Sequence, residues 1–161
     1  MITLAIDPGA KGGYAARVGD ETITGSMPDT EGGILELLRK FSTGGHVCFL
    51  EDLVKFTGTP MPSSSMAVYA GNWGFLKGAL MALGYRVHLV KPQAWQKTLN
   101  LGTSKGLQKR EWKAKLRGEA ERLFPGSKVT LSNADALLIL RFSELAYQPR
   151  THDSNNEPIP F

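Results

Sequence analysis

Three acids in this 161-residue chain stand where an element begins or ends: Asp7, Glu51 and Asp135. Asp7 follows the apolar run Ile2 to Ile6 and precedes Pro8-Gly9, with Gly12 and Gly13 close behind. A short buried strand over that run puts the carboxylate at the rim of a sheet, where open α/β sheets place their chemistry. A lone Asp-Pro-Gly is more often a turn initiator. Two further acids change that balance. Glu51 closes a second apolar run, and Asp135 opens a helical pattern that can aim it back at the sheet edge. Carboxylates gathered in one place repel each other unless a cation compensates. Their hard oxygens suit Mg²⁺ or Mn²⁺ rather than zinc. Two such ions about 4 Å apart can activate a water and stabilise the leaving oxygen of a phosphodiester.

The elements that must position these acids follow from apolar periodicity. Met1 to Asp7, Gly12 to Val18 and Glu21 to Ser26 read as an antiparallel three-strand meander, with Gly19-Asp20 as a two-residue hairpin turn. Asp29 or Thr30 caps a helix whose apolar positions are Ile34, Leu35, Leu38 and Phe41, and Thr43-Gly44-Gly45 ends it. His46 to Leu50 is a fourth strand, placed parallel to the first by that helical crossover, and it delivers Glu51 and Asp52. A Thr-, Pro-, Ser- and Gly-rich loop, Lys55 to Ser65, carries Phe56 and Met61. Met66 to Leu83 reads as a long helix closed by Gly84. Its small stripe, with Gly71, Gly74 and Gly78, costs about 1 kcal/mol per glycine, so close approach of another backbone is expected. That partner is either the sheet or the same helix of a second subunit. Tyr85 to Val90 is a fifth strand. Three more helices follow: Pro92 to Leu99, Leu107 to Phe124 and Ala134 to Tyr147. The predicted fold is α/β: a five-stranded mixed sheet flanked by helices. Residues 1–147 form one domain, and the Pro-, Ser- and Asn-bearing tail 148–161 reads as disordered.

The net charge of +4 is unevenly placed. Between Lys91 and Lys128 the cations, among them Lys105, Lys109, Arg110, Lys113 and Lys115, far outnumber the acids. Such a face favours a polyanion, and the interleaved Trp95 and Trp112 point toward nucleic acid. A solvated helix face is the plainer reading. Cys48 is a single cysteine in an apolar run, which excludes an intrachain disulfide and a cysteine-based zinc site. No basic-then-apolar leader and no run of about 18 apolar residues is present, so a cytoplasmic protein is expected. His46, His88 and His152 make no metal spacing and read as structural. Trp73 and Trp95 read as core rather than as nucleotide platforms.

Several stretches together carry a family resemblance. Asp7-Pro8-Gly9, the Glu51 strand end and Ser132-Asn133-Ala134-Asp135-Ala136-Leu137-Leu138 are three of them. Gly71-Asn72-Trp73-Gly74-Phe75-Leu76-Lys77-Gly78 and Pro92-Gln93-Ala94-Trp95-Gln96-Lys97, followed later by Leu123-Phe124-Pro125, complete the set. In order and spacing the sequence resembles the RuvC family of Holliday-junction resolvases, within the ribonuclease H-like superfamily. It is more similar to the phage, bacterial and chloroplast branches. The resemblance runs from Met1 to about Ala146. It implies a homodimeric endonuclease of DNA recombination and repair that binds four-way junctions and cuts two strands symmetrically with Mg²⁺, for which Mn²⁺ substitutes. It implies that Asp7, Glu51 and Asp135 hold metal, with two ions per site. It implies that Lys113 lies near the scissile phosphate, with Lys105 and Lys109 as alternatives, and that Phe56, beside Lys55, meets the bases at the junction centre. Gly71, Gly74 and Gly78 then belong to the dimer interface. The family usually has an acid or histidine one helical turn before Asp135, where this chain has Leu131 and Ser132. That departure leaves the corner to water, Ser132 or the backbone, or else implies a weaker metal site.

Other function classes remain at this level. A branched-DNA-binding protein without catalysis shares the basic face and the dimer, and only activity separates it. A broader ribonuclease H-like nuclease, acting on branched or hybrid nucleic acid, shares the acids. The sugar-kinase and actin group also opens on a strand with Asp-Gly, but needs a second domain for which this chain is too short.

Overall fold

The structure, a computed structural model, describes residues 1–9, 11–42, 46–52 and 63–147. Among the described residues, five strands and five helices follow in the order β1 (Ile2–Ile6), β2 (Gly13–Val18), β3 (Glu21–Ser26), α1 (Glu31–Lys40), β4 (His46–Glu51), α2 (Ser63–Ala82), β5 (Arg86–Val90), α3 (Pro92–Thr98), α4 (Lys109–Leu123) and α5 (Ala134–Ala146). The sheet order is β3-β2-β1-β4-β5. The first three strands form the expected antiparallel meander, and β4 pairs parallel to both β1 and β5.

The pleat divides the core in two. Leu4, Ile6, Cys48 and Leu50 face the layer of α1 and α2, together with Leu38, Leu76 and Leu80. Ala5, Ala15, Val47 and Phe49 face the layer of α3, α4 and α5. Ala5 and Ala15 are small, so α5 lies close over the centre of the sheet. Its residues Ala134 to Leu140 are all buried. Each of Leu137, Leu138 and Leu140 contributes about 1.5–3 kcal/mol by leaving water. The approach is tightest at the start of α5. A Cβ on Gly13 would lie 2.5 Å from the Ser132 carbonyl oxygen and 2.7 Å from Asn133 Cα, so only glycine lets β2 pass beneath it.

Several ends follow from local chemistry. Thr30 caps α1, its hydroxyl accepting from the Gly33 N–H at 3.1 Å. The C-terminus of α2 closes as a Schellman motif: the Tyr85 N–H donates to the Leu80 carbonyl and Gly84, at φ +80°, donates to Met81. At α3 the same motif uses Asn100, at φ +55°, with Leu101 donating to Gln96. Glu111 accepts from the Gln108 N–H at 2.8 Å, so α4 begins at Lys109 rather than Leu107.

Three expectations are corrected. The long helix starts at Ser63, so Ser63–Ser65 are helical rather than loop. The small stripe of α2 does not pack on the sheet. A Cβ added at Gly71, Gly74 or Gly78 would meet nothing within 4 Å among the described residues. Trp112, 9 % exposed, does not display an aromatic face among the lysines but belongs to the core, where Trp95, 1 % exposed, lies as its core reading expects. Trp112, Leu116 and Ala120 repeat every four residues and form the buried stripe of α4.

Cys48 is buried, which raises its thiol pKa. The structural reading of two histidines agrees with their contacts. His46 hydrogen-bonds the Leu83 carbonyl at 3.0 Å, and His88 stacks on Phe49 at 5.0 Å. Lys55, Phe56, Met61, Thr43-Gly44-Gly45, His152 and the rest of the tail 148–161 lie outside the described residues. Among the described residues no helix is long and apolar enough to cross a membrane.

Candidate active site

Asp7 and Glu51 are brought together by strand register. Ile6 pairs with Leu50 across the parallel β1–β4 ladder, so the next rung is Asp7 beside Glu51. Glu51 is itself paired with Val90 of β5. Asp135 enters from above, on the first turn of α5, where Gly13 and Ala15 admit the helix. Lys113, on α4, reaches across and donates to Asp135 Oδ2. Element ends in the sequence name Asp7, Glu51 and Asp135, the family resemblance names Lys113, and the fold converges all four on one edge of the sheet.

Each side chain is held by its own donor. The Gly9 N–H donates to Asp7 Oδ1 at 3.1 Å, closing an Asx turn. Behind it Asp7 N–H donates to the Gly13 carbonyl at 3.0 Å, which ties the loop to the sheet. The indole N–H of Trp95 donates to Glu51 Oε2 at 3.1 Å. The indole N–H of Trp73, on α2, donates to the Glu51 carbonyl oxygen, also at 3.1 Å. Asn133 is 2 % exposed and does not face the site. Its amide accepts from the Thr130 N–H at 2.7 Å and donates to the Lys128 carbonyl at 3.0 Å, which fixes the turn that launches α5.

The electrostatics are those of crowded acids. Burial, and then the charges of Asp7 and Asp135, push the Glu51 carboxyl up to about 8. The Trp95 hydrogen bond and Lys113 oppose that rise. Asp7 is also raised, by burial first and by Asp135 second. Burial alone would lower the Lys113 pKa, but Asp135, Asp7 and Glu51 together raise it, so its ammonium persists. Tyr69 on α2 feels the same field: burial and then Glu51 and Asp7 raise its phenol.

The donor set suits a hard cation. It consists of carboxylate oxygens, and Asp135 Oδ1 is buried with no hydrogen-bond partner among the described residues. Lys113 supplies one positive charge against three acids. Among the described residues no three His, Cys, Asp or Glu side chains close round a single point as ion ligands do. Asp135, Glu51 and Asp7 are each turned toward a different donor. At the fourth corner Leu131 is 56 % exposed, and Ser132 presses its backbone carbonyl against Gly13.

Lys105, Lys109, Arg110 and Lys115 are exposed, whereas Lys113 is half-buried in the site. Sequence reading missed two contributors. Trp95 and Trp73 were assigned to the core, and both also hold Glu51 through their indole N–H groups. Trp95 was legible by counting: it lies one turn into the helix that follows β5, the strand beside Glu51. Tyr69 carried no signal in its spacing.

No protein-family model matches the sequence, and no curated protein matches it. Two solved structures are similar over nearly the whole chain. One is the Thermus thermophilus RuvC structure, at 17 % identity and a TM-score of 0.55, covering 91 % of this chain and 96 % of that one. The other is T. thermophilus RuvC in complex with Holliday junction substrate, at the same identity and TM-score, covering 91 % and 97 %. The likeness defines the fold as ribonuclease H-like: a mixed five-stranded sheet flanked by helices.

Proposed function

We propose that this chain is a divalent-metal-dependent endonuclease that resolves four-way DNA junctions by paired phosphodiester hydrolysis, working as a homodimer. The observation that carries the reading is the convergence of Asp7, Glu51 and Asp135 on one sheet edge, with Lys113 against Asp135. The fold it shares with a RuvC solved on Holliday junction substrate supports the choice of substrate.

Asp7, Glu51 and Asp135 would hold Mg²⁺, or Mn²⁺ in its place, as a two-ion site, with Ser132 or the nearby backbone at the fourth corner. When bound, the ions supply an activated water and stabilise the leaving oxygen. The chain's own groups do the rest. Trp95 and Gly9 fix the carboxylates they touch. Lys113 stays protonated beside the acids and neutralises charge that develops on the phosphate. Lys105, Lys109, Arg110 and Lys115 draw the polyanion toward an edge that would otherwise repel it. Lys55 and Phe56 belong to this reading as contacts to the junction centre. Water attacks in line, and the cut strand keeps a 5′-phosphate.

The test is Asp7→Asn. It removes a carboxylate while preserving the Gly9 contact. Junction cutting is expected to be abolished and junction binding retained; a mutant that cuts normally contradicts the site. A second reading is a junction-binding protein without catalysis, favoured by the exposed Leu131 at the fourth corner. Wild-type protein that binds junctions but cuts none at any Mg²⁺ or Mn²⁺ concentration supports that reading instead.

A further inference from the structure

Away from the carboxylates, the outer face of α3 and the turn behind it enclose a groove of about 510 Å³, lined by Gln93, Gln96, Lys97, Asn100, Gly102 and Thr103. No carboxylate lines it. Its shape is built by the backbone. Asn100 and Gly102 both take positive φ, at +55° and +78°, and Leu101 between them is buried as an anchor. Lys115 overhangs the rim: its ammonium lies 3.5 Å from where a Gly102 Cβ would be and 5.6 Å from the Trp112 ring. Neither Lys97 nor Lys115 is spent in an ion pair among the described residues.

We propose that this groove seats the sugar-phosphate backbone of a DNA arm of the junction substrate, a contact separate from the cleavage edge. The proposal rests on the junction-binding reading above. Three amides, a hydroxyl and two ammonium groups offer hydrogen-bond donors with no acid to repel an anion, which is the chemistry of phosphate positioning. The volume exceeds that of one phosphate, so a backbone segment is the occupant rather than the free ion. The groove also shares a helix with the site. Trp95 points inward to Glu51, while Gln93, Gln96 and Lys97 of the same two turns face outward. Backbone held there fixes the distance from arm to cleavage edge.

The experiment measures binding of a labelled four-way junction, without divalent metal, across a salt series. The variant combines Gln96→Ala, Lys97→Ala and Asn100→Gly; glycine keeps the left-handed turn while removing the amide. Affinity is expected to fall about 10-fold and the salt slope to become shallower by about 1, the release from one phosphate contact. Lys40→Ala, on α1 across the sheet, makes a charge change with neither groove nor site involved. The single Lys97→Ala, at an exposed position, repeats the slope change if the triple variant folds poorly. A groove variant that matches Lys40→Ala in affinity and slope overturns the proposal while leaving the junction reading intact. Wild-type protein that does not bind the junction overturns both.

Discussion

Trp95 and Glu51 form a pair that couples the core to the sheet edge. The indole of a residue 1 % exposed donates to the carboxylate of a residue at the end of a central strand, at 3.1 Å. Trp95→Phe keeps most of the packing and removes the donor. Loss of such a second-layer hydrogen bond lowers metal affinity about 10-fold or more. Calorimetric titration with Mn²⁺ measures it, and an unchanged Kd would show that Trp95 only fills space.

The acids also set a pH dependence in metal-free protein. Glu51 titrates at about 8 in the fold against 4.5 unfolded, so the folded state keeps a proton that the unfolded chain has released. Stability therefore falls as pH rises from 4.5 to about 8. The raised Asp7 carboxyl adds to the same trend. Thermal melts in chelator should show this decline, and Glu51→Gln should flatten it. A rise in stability over that window in the wild type would contradict the crowded-acid account.

Gly13 governs how closely α5 sits on the sheet. A Cβ there would also lie 2.7 Å from the Gly25 carbonyl oxygen, so backbone blocks it on both sides. Gly13→Ala should cost about 1–3 kcal/mol or more, as overpacking does. It should also shift Asp135 away from Asp7. Denaturant unfolding reads the first effect. A variant as stable as wild type would mean that α5 approaches more loosely.

The open stripe on α2 bears on assembly. A Cβ on Gly71, Gly74 or Gly78 would meet nothing within 4 Å among the described residues, and three interior glycines still cost helix stability. A second copy of α2 is the partner proposed here. Gly74→Leu is expected to halve the mass measured by light scattering, while a wild type already at monomer mass removes the reason for the stripe.

Much of this was readable before any fold was known. The runs Ile2–Ile6 and His46–Leu50 set the parallel pair, and that register alone makes neighbours of Asp7 and Glu51. Asp135 and Lys113 are 22 residues apart, and no periodicity joins them; only the packing of α4 on α5 does. The destination of the glycine stripe was equally open, because the pattern records close approach and not the partner. Trp112 shows the opposite case. It shares a four-residue spacing with Leu116 and Ala120, the mark of a buried stripe, but the surrounding lysines drew the reading toward nucleic acid.

The central claim is that these acids cut branched DNA. A synthetic four-way junction incubated with the protein in Mg²⁺ or Mn²⁺ tests it most directly. The account predicts paired nicks at symmetric positions, 5′-phosphate ends, and complete loss of cutting in chelator. Tight binding with no cleavage at any metal concentration would contradict it.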